Sequence, residues 1–419
     1  MRIIFLYCLG GGGAERVAVN LFKQVGFDYI LVLDERENAY DFPSDRLHVL
    51  RLPAFGELFG PDNLLKRMLN FSIKLLRLRS HKKERGVTLC LSFLESCNLL
   101  NVLTKGKEKV VLSFQIHYTQ LFEEDPFFGS GFKRWLITGL YRIAMSFFYN
   151  RADLMVCASY GVKEDLVRNF GIDSRKVRVI YNPIYLDEVE VKSKESLGEY
   201  EGVFSGPVLI NVGRLTKQKG QWYLLRVFRV LKDAFPDLRL VFLGDGELRG
   251  YLYGLSRDLG LRSYLFGVDD LSSSYDVYFL GFQGNPFKFL SRSTLFVFPS
   301  LFEGFGNVLV EALACGVPVV SSDCRSGPRE VLSPGSDFSF QTDVPEYGEY
   351  GILMPVIGSD FRGADEPLCE RERIWCEVLR DLLADEGLRR RYSLRGKERA
   401  KDFDIAKIAE EWKRVLEGL

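Results

Sequence analysis

Two glutamates bracket the segment Glu303-Gly304-Phe305-Gly306-Asn307-Val308-Leu309-Val310-Glu311, which follows the short apolar run Leu295–Pro299. Gly304 and Gly306 permit a tight turn. A helix predicted to open near Asn307 aims unpaired N–H groups and the positive end of its dipole beyond the strand, which suits a phosphate. Glu303 falls on the turn, where a carboxylate can touch a sugar. Glu311 falls within the helix, where it can accept two hydrogen bonds from a ribose diol. Taken alone, the segment could also be a helix start carrying two solvated glutamates.

A second segment, Val212-Gly213-Arg214-Leu215-Thr216-Lys217-Gln218-Lys219-Gly220, follows the apolar run Val208–Val212. Arg214 and Lys219 share this loop and together can neutralise a diphosphate that gains charge as a group departs. A third, Gly10-Gly11-Gly12-Gly13-Ala14-Glu15-Arg16, offers Gly12 and Gly13 for close approach of backbone to phosphate or sugar. Glu15 stands where a dinucleotide fingerprint requires glycine, which disfavours an NAD-dependent dehydrogenase. His117 follows the run ending near Gln115. A lone histidine at a strand end is more often structural than functional, and its role stays open.

These motifs together resemble the retaining glycosyltransferases of family four, also called group one, which share the GT-B fold. Glu303 to Glu311 is similar to that family's acidic signature, Gly213 to Gly220 to its G-R-x-x-x-x-K-G motif, and Gly12 to Arg16 to its G-G-A-E-R turn. The resemblance implies that Gly12, Gly13, Arg214, Lys219, Gly304, Phe305, Gly306, Asn307 and Glu311 bind a nucleoside diphosphate sugar. It implies catalytic parts for Glu303 beside the transferred sugar, for Arg214 and Lys219 on the diphosphate, and for His117 toward the sugar or acceptor. It also implies retention at the anomeric carbon, with the leaving phosphate taking the acceptor proton. Ser326-Gly327-Pro328-Arg329-Glu330 resembles a G-P-R-E-I-L branch that moves hexoses and N-acetylhexosamines onto lipid-linked glycans. No cofactor and no metal is expected: Asp402-Phe403-Asp404 lies in the terminal helical region, and His48, His81 and His117 have no metal-ligand spacing. Two rival readings are a nucleotide-sugar epimerase of GT-B fold and an inactive GT-B scaffold.

The elements needed to position such motifs are legible as well. Short apolar runs alternate with helical periods, the pattern of parallel sheets covered by helices, so the chain reads as α/β with two Rossmann-like doubly wound domains. In the first half the predicted strands are Ile3–Cys8, Ile30–Leu33, Leu89–Phe93, Lys109–Gln115, Leu154–Ala158 and Val177–Ile180. In the second they are Val208–Val212, Arg239–Leu243, Tyr278–Leu280, Leu295–Pro299 and Val317–Ser321. The predicted division is 1–183 as an acceptor-binding domain, 184–204 as a linker, and 205–400 as a nucleotide-sugar-binding domain. Residues 401–419 are expected to form a helix that bridges the two or packs on the first.

At 419 residues the chain exceeds what one core usually serves. Lys plus Arg and Asp plus Glu are both 56, which gives no general attraction to nucleic acid. The eight cysteines contain no C-x-x-C pair and point to reduced core thiols. No run is apolar enough to span a bilayer. Two segments, 63–86 and 132–149, mix cations with large apolar residues and predict peripheral membrane contact, placing the protein at the cytoplasmic membrane face beside a lipid-linked acceptor.

Overall fold

A computed structural model describes residues 1–34, 42–50, 64–124 and 131–419. The chain divides into unit 1, Met1–Pro183 with Ile405–Leu419, and unit 2, Ile184–Asp404. The linker expected at 184–204 is not free chain. Leu186–Ser193 forms a helix and Gly198–Phe204 a short 3₁₀ stretch, both within unit 2. Side chains further along fix this segment: Asn285 donates to the Lys192 carbonyl, while Ser291 and Arg292 donate to that of Ser193. The later boundary also moves, because Lys401 to Asp404 stay with unit 2.

Among the described residues unit 1 holds seven strands: β1 (Arg2–Leu6), β2 (Tyr29–Val32), β3 (Leu47–Val49), β4 (Leu89–Phe93), β5 (Lys109–Phe114), β6 (Leu154–Cys157) and β7 (Val177–Val179). They pair in parallel in the order β3-β2-β1-β4-β5-β6-β7, so sequence order reverses between β1 and β4. The connecting helices are α1 (Gly13–Val25), α2 (Leu64–Glu84), α3 (Glu95–Leu103), α4 (Tyr118–Glu124), α5 (Gly131–Tyr149) and α6 (Tyr160–Phe170). Ile3, Cys90, Val110, Leu112 and Met155 line one face of the sheet, and Leu78 of α2, Leu100 and Val102 of α3, Tyr149 of α5 and Leu166 of α6 bury it.

Unit 2 restarts the pattern with α7 (Leu186–Ser193), β8 (Val208–Val212), α8 (Gln221–Ala234), β9 (Arg239–Leu243), α9 (Arg249–Asp258), β10 (Ser263–Leu265) and β11 (Val277–Phe279). It continues through α10 (Phe287–Leu290), β12 (Leu295–Phe298), α11 (Asn307–Ala314), β13 (Val319–Ser322), α12 (Pro328–Leu332), β14 (Glu346–Tyr347) and β15 (Ile352–Met354). Helices α13 (Glu370–Ala384) and α14 (Glu386–Ala400) complete it. The strand order is β10-β11-β9-β8-β12-β13-β15-β14, with the reversal between β8 and β12. The last helix, α15 (Ile405–Glu417), buries Ile405, Ile408, Ala409, Trp412 and Leu416 and packs on α1 of unit 1.

Candidate active site

Ligands of doubly wound sheets bind outside the carboxyl ends of the strands, at the point where strand order reverses. In unit 2 that point lies between β8 and β12, which pair directly through Leu295 with Leu209 and Phe296 with Ile210. The loop after β8 carries Arg214 and Lys219, and the loop after β12 carries Glu303. Adjacent strands therefore deliver the two segments to one place. Lys219 Nζ lies 2.5 Å from Glu303 Oε1, with the side chains 13% and 7% exposed. The ammonium also stands 5.1 Å from the centroid of the Phe298 ring, a favourable cation–π geometry. Glu311 on α11 is buried too, so neither glutamate is the solvated group that a bare helix start would leave.

Side chains outside the predicted site residues hold these loops. Gln218 Nε2 donates to the Phe302 carbonyl, and the Leu301 amide donates to the Gln218 carbonyl, clasping the two loops together. Gln221 donates to the Arg214 carbonyl, and Asn211 to that of Val297. Arg214 itself is exposed, and among the described residues its guanidinium has no hydrogen-bond partner. The Glu303 amide donates to the Arg325 carbonyl, and the Ser326 amide donates back to the Glu303 carbonyl. Gly327 has φ +103°, and a Cβ there would sit 2.2 Å from the Phe305 carbonyl oxygen. Ser326 and Gly327 of the G-P-R-E segment thus brace the glutamate turn. In the sequence this segment carries only the branch resemblance; neither the close approach at Gly327 nor its partner loop is legible there.

Among the described residues three buried polar atoms nearby, Thr216 Oγ1, Gln221 Oε1 and Ser300 Oγ, have no hydrogen-bond partner. Burial, reinforced by Glu303, pushes the Cys324 thiol well above its ordinary range. It stays protonated and cannot serve as a thiolate nucleophile.

Gly220 illustrates why the turn needs glycine. Its φ is +62°, and a Cβ would approach the Pro299 carbonyl oxygen to 2.4 Å. Gly220→Ala is therefore expected to cost more than about 1 kcal/mol in stability, because backbone cannot retreat as a flexible side chain can. It should also displace Lys219. Thermal melting checks the first effect, and an unchanged melting temperature contradicts it.

The remaining predicted residues lie in unit 1. Gly12 caps α1 after β1, Gly13 opens that helix, and Glu15 folds back over the turn, its carboxylate 2.3 Å from where a Cβ on Gly12 would stand. His117 precedes α4, is 6% exposed, and places Nδ1 3.4 Å from Asp165 Oδ2. Asp165 in turn accepts from the Thr119 amide and hydroxyl, a partnership the sequence did not disclose. Glu303, Lys219, Arg214 and the α11 start, from Gly304 through Asn307 to Glu311, are all in unit 2. Among the described residues no group of three or more His, Cys, Asp or Glu is placed to hold a metal ion.

Two Rossmann-like units with this site at a strand-order reversal define the GT-B glycosyltransferase fold. The family model for group 1 glycosyl transferases matches residues 199–343, and that for glycosyltransferase family 4 matches residues 11–188. The chain belongs to the group 1, family 4, glycosyltransferases. It is 30% identical over 420 residues, 99% of both chains, to the N-acetylgalactosamine-N,N'-diacetylbacillosaminyl-diphospho-undecaprenol 4-alpha-N-acetylgalactosaminyltransferase of Campylobacter jejuni. It is 40% identical over 292 residues, 68% of this chain and 69% of the other, to an uncharacterized glycosyltransferase of Methanocaldococcus jannaschii. The structure of Anabaena HepE with UDP and glucose superposes over 100% of both chains, with a TM-score of 0.70 at 18% identity.

Proposed function

We propose that this glycosyltransferase moves a hexose or N-acetylhexosamine from a UDP-sugar to a hydroxyl of a lipid-linked glycan, with retention and without a metal. The observation that carries the reading is the Lys219–Glu303 contact at the β8/β12 reversal, beside the exposed Arg214. In the proposed step the bond from the anomeric carbon to the diphosphate oxygen breaks. A bond to the acceptor oxygen forms on the same face, and the acceptor proton passes to the leaving phosphate. Arg214 and Lys219 absorb the charge gathering on that phosphate, assisted by the amides at the start of α11. Glu303 supports the cation-like sugar, Glu311 holds the ribose diol, and Gly12, Gly13 and His117 serve donor and acceptor from unit 1.

The UDP bound to HepE supports the base, and the diphospho-undecaprenol substrate in the name of the Campylobacter relative supports a lipid-linked acceptor in glycan assembly. Among the described residues no helix is long and apolar enough to cross a membrane. The proposed working position is the cytoplasmic membrane face.

The test is transfer from a panel of UDP-sugars to a short-chain polyprenyl diphosphate glycan in the presence of EDTA. The expected product has the donor's α configuration, read from its anomeric coupling. A β product overturns retention, an absolute need for added divalent metal overturns the metal-free step, and donor turnover without any acceptor favours an epimerase.

A further inference from the structure

Helix α5 reverses the usual arrangement of a surface helix. Met145 and Tyr149 face the core, where α5 packs on α3 and α6. Its outward side is made of large apolar groups: Phe132, Trp135, Leu136, Leu140, Ile143 and Phe147 are 75, 67, 46, 60, 68 and 67% exposed. At 3.6 residues per turn these six fall within an arc of about 140°. No acidic residue occurs anywhere in α5. Lys133 and Arg142, both exposed, stand at the two margins of the arc. An apolar stripe of this kind, with only the small residues Gly139 and Ser146 between its large groups, is costly in water and marks an interaction surface.

We infer that the outward stripe of α5 inserts into the interface of an anionic bilayer, lying in the membrane plane with Lys133 and Arg142 at phosphate level. The charge pattern selects a membrane over a protein partner. Cations border the apolar groups on both margins, where long basic side chains reach headgroups while aromatic and aliphatic groups enter the acyl boundary. This inference rests on the proposed lipid-linked acceptor, and it assigns the attachment to apolar insertion instead of charge alone.

Helix α2, the more basic of the two segments, plays the weaker part. One of its cations, Lys82, is turned inward: it is 4% exposed, 2.9 Å from Glu108 and hydrogen-bonded to Asn101. The cation count in 63–86 therefore overstates its surface charge, and Asn63, together with the side chains of Lys66 and Arg67, lies outside the described residues. Arg77, Arg79 and Lys83 remain exposed to strengthen attachment to anionic lipid.

Flotation of the purified full chain with phosphatidylethanolamine–phosphatidylglycerol vesicles tests this, with Trp135 emission as a second readout. The chain is expected to float, to keep most of its binding in high salt, and to show emission quenched by bilayer-embedded nitroxide lipid. The combined variant Phe132→Ser, Trp135→Ser, Ile143→Ser should lower the partition coefficient by about 100-fold. The mutated side chains are solvent-facing, and an unchanged melting temperature verifies that the fold is kept. Transfer to a detergent-soluble acceptor should also be unchanged, which separates failure of this inference from failure of the proposed activity. Absence of vesicle binding, binding abolished by salt, or equal binding by the variant overturns the inference. So does a dimer in solution that the variant dissolves, which would make the stripe a contact between two copies.

Discussion

Replacing Lys219 by Ala is expected to lower kcat by about 10²–10³-fold, the cost of removing one charge-stabilising donor from a preorganised site. The structure adds a complication and a sharper test. Lys219 does not stand alone: its charge is met by Glu303 at 2.5 Å. Removing the cation leaves a buried carboxylate uncompensated, so part of the loss would reflect a disturbed Glu303. Glu303→Gln should by itself also impair turnover. If the two residues act as one unit, the double variant loses little more than the worse single variant. Single-turnover rates of all four proteins decide the matter. Losses that multiply would show the residues acting independently, and near-normal turnover by Lys219→Ala would remove Lys219 from the chemistry.

The second large effect concerns stability. Arg226 of α8 and Glu372 of α13 form an ion pair with side chains 1% and 0% exposed, Nε lying 2.6 Å from Oε1. The same guanidinium donates to the carbonyls of Gly363, Glu366 and Pro367, tying the segment before α13 to the helix that follows the Lys219 loop. Glu372→Ala deletes one charge and strands the other, at an expected cost of about 3–5 kcal/mol. For a unit of this size the loss corresponds to roughly 10 °C in Tm. A paired replacement, Arg226→Met with Glu372→Leu, should recover much of it, because the penalty comes from the unpaired charge and not from the absence of an ion pair. Calorimetry of the three proteins checks both statements, and a Glu372→Ala melting point equal to that of the parent chain contradicts them.

Much of the fold was legible because its central strands are apolar on both faces and bounded by turn residues. Leu89–Phe93, Val208–Val212 and Arg239–Leu243 coincide with the structure to the residue. Of the short strands at and next to the sheet edges, Val177–Val179 and Val277–Phe279 were read to within a residue, and four others were missed. Leu47–Val49, Ser263–Leu265, Glu346–Tyr347 and Ile352–Met354 have two or three residues each, too few to show a period. Residues 184–204 read as a linker because α7 buries only Val189, leaving little apolar pattern, and its attachment comes from later side chains reaching its carbonyls. In the site, the pairing of Lys219 with Glu303 follows from strand order. The bracing by Gln218, Phe298 and Gly327 depends on contacts across many residues of sequence, which spacing alone does not encode.

The position of α15 has a consequence for biosynthesis. The ribosome makes the sheet of unit 1 before the whole of unit 2, and only then α15, the helix that buries Ile408 and Trp412 and packs on α1. Throughout the intervening synthesis the earliest-made half carries an unclosed greasy seam, a natural place for a holding chaperone to grip. Maturation of the two halves is thereby ordered in time, with the first translated being the last to be sealed.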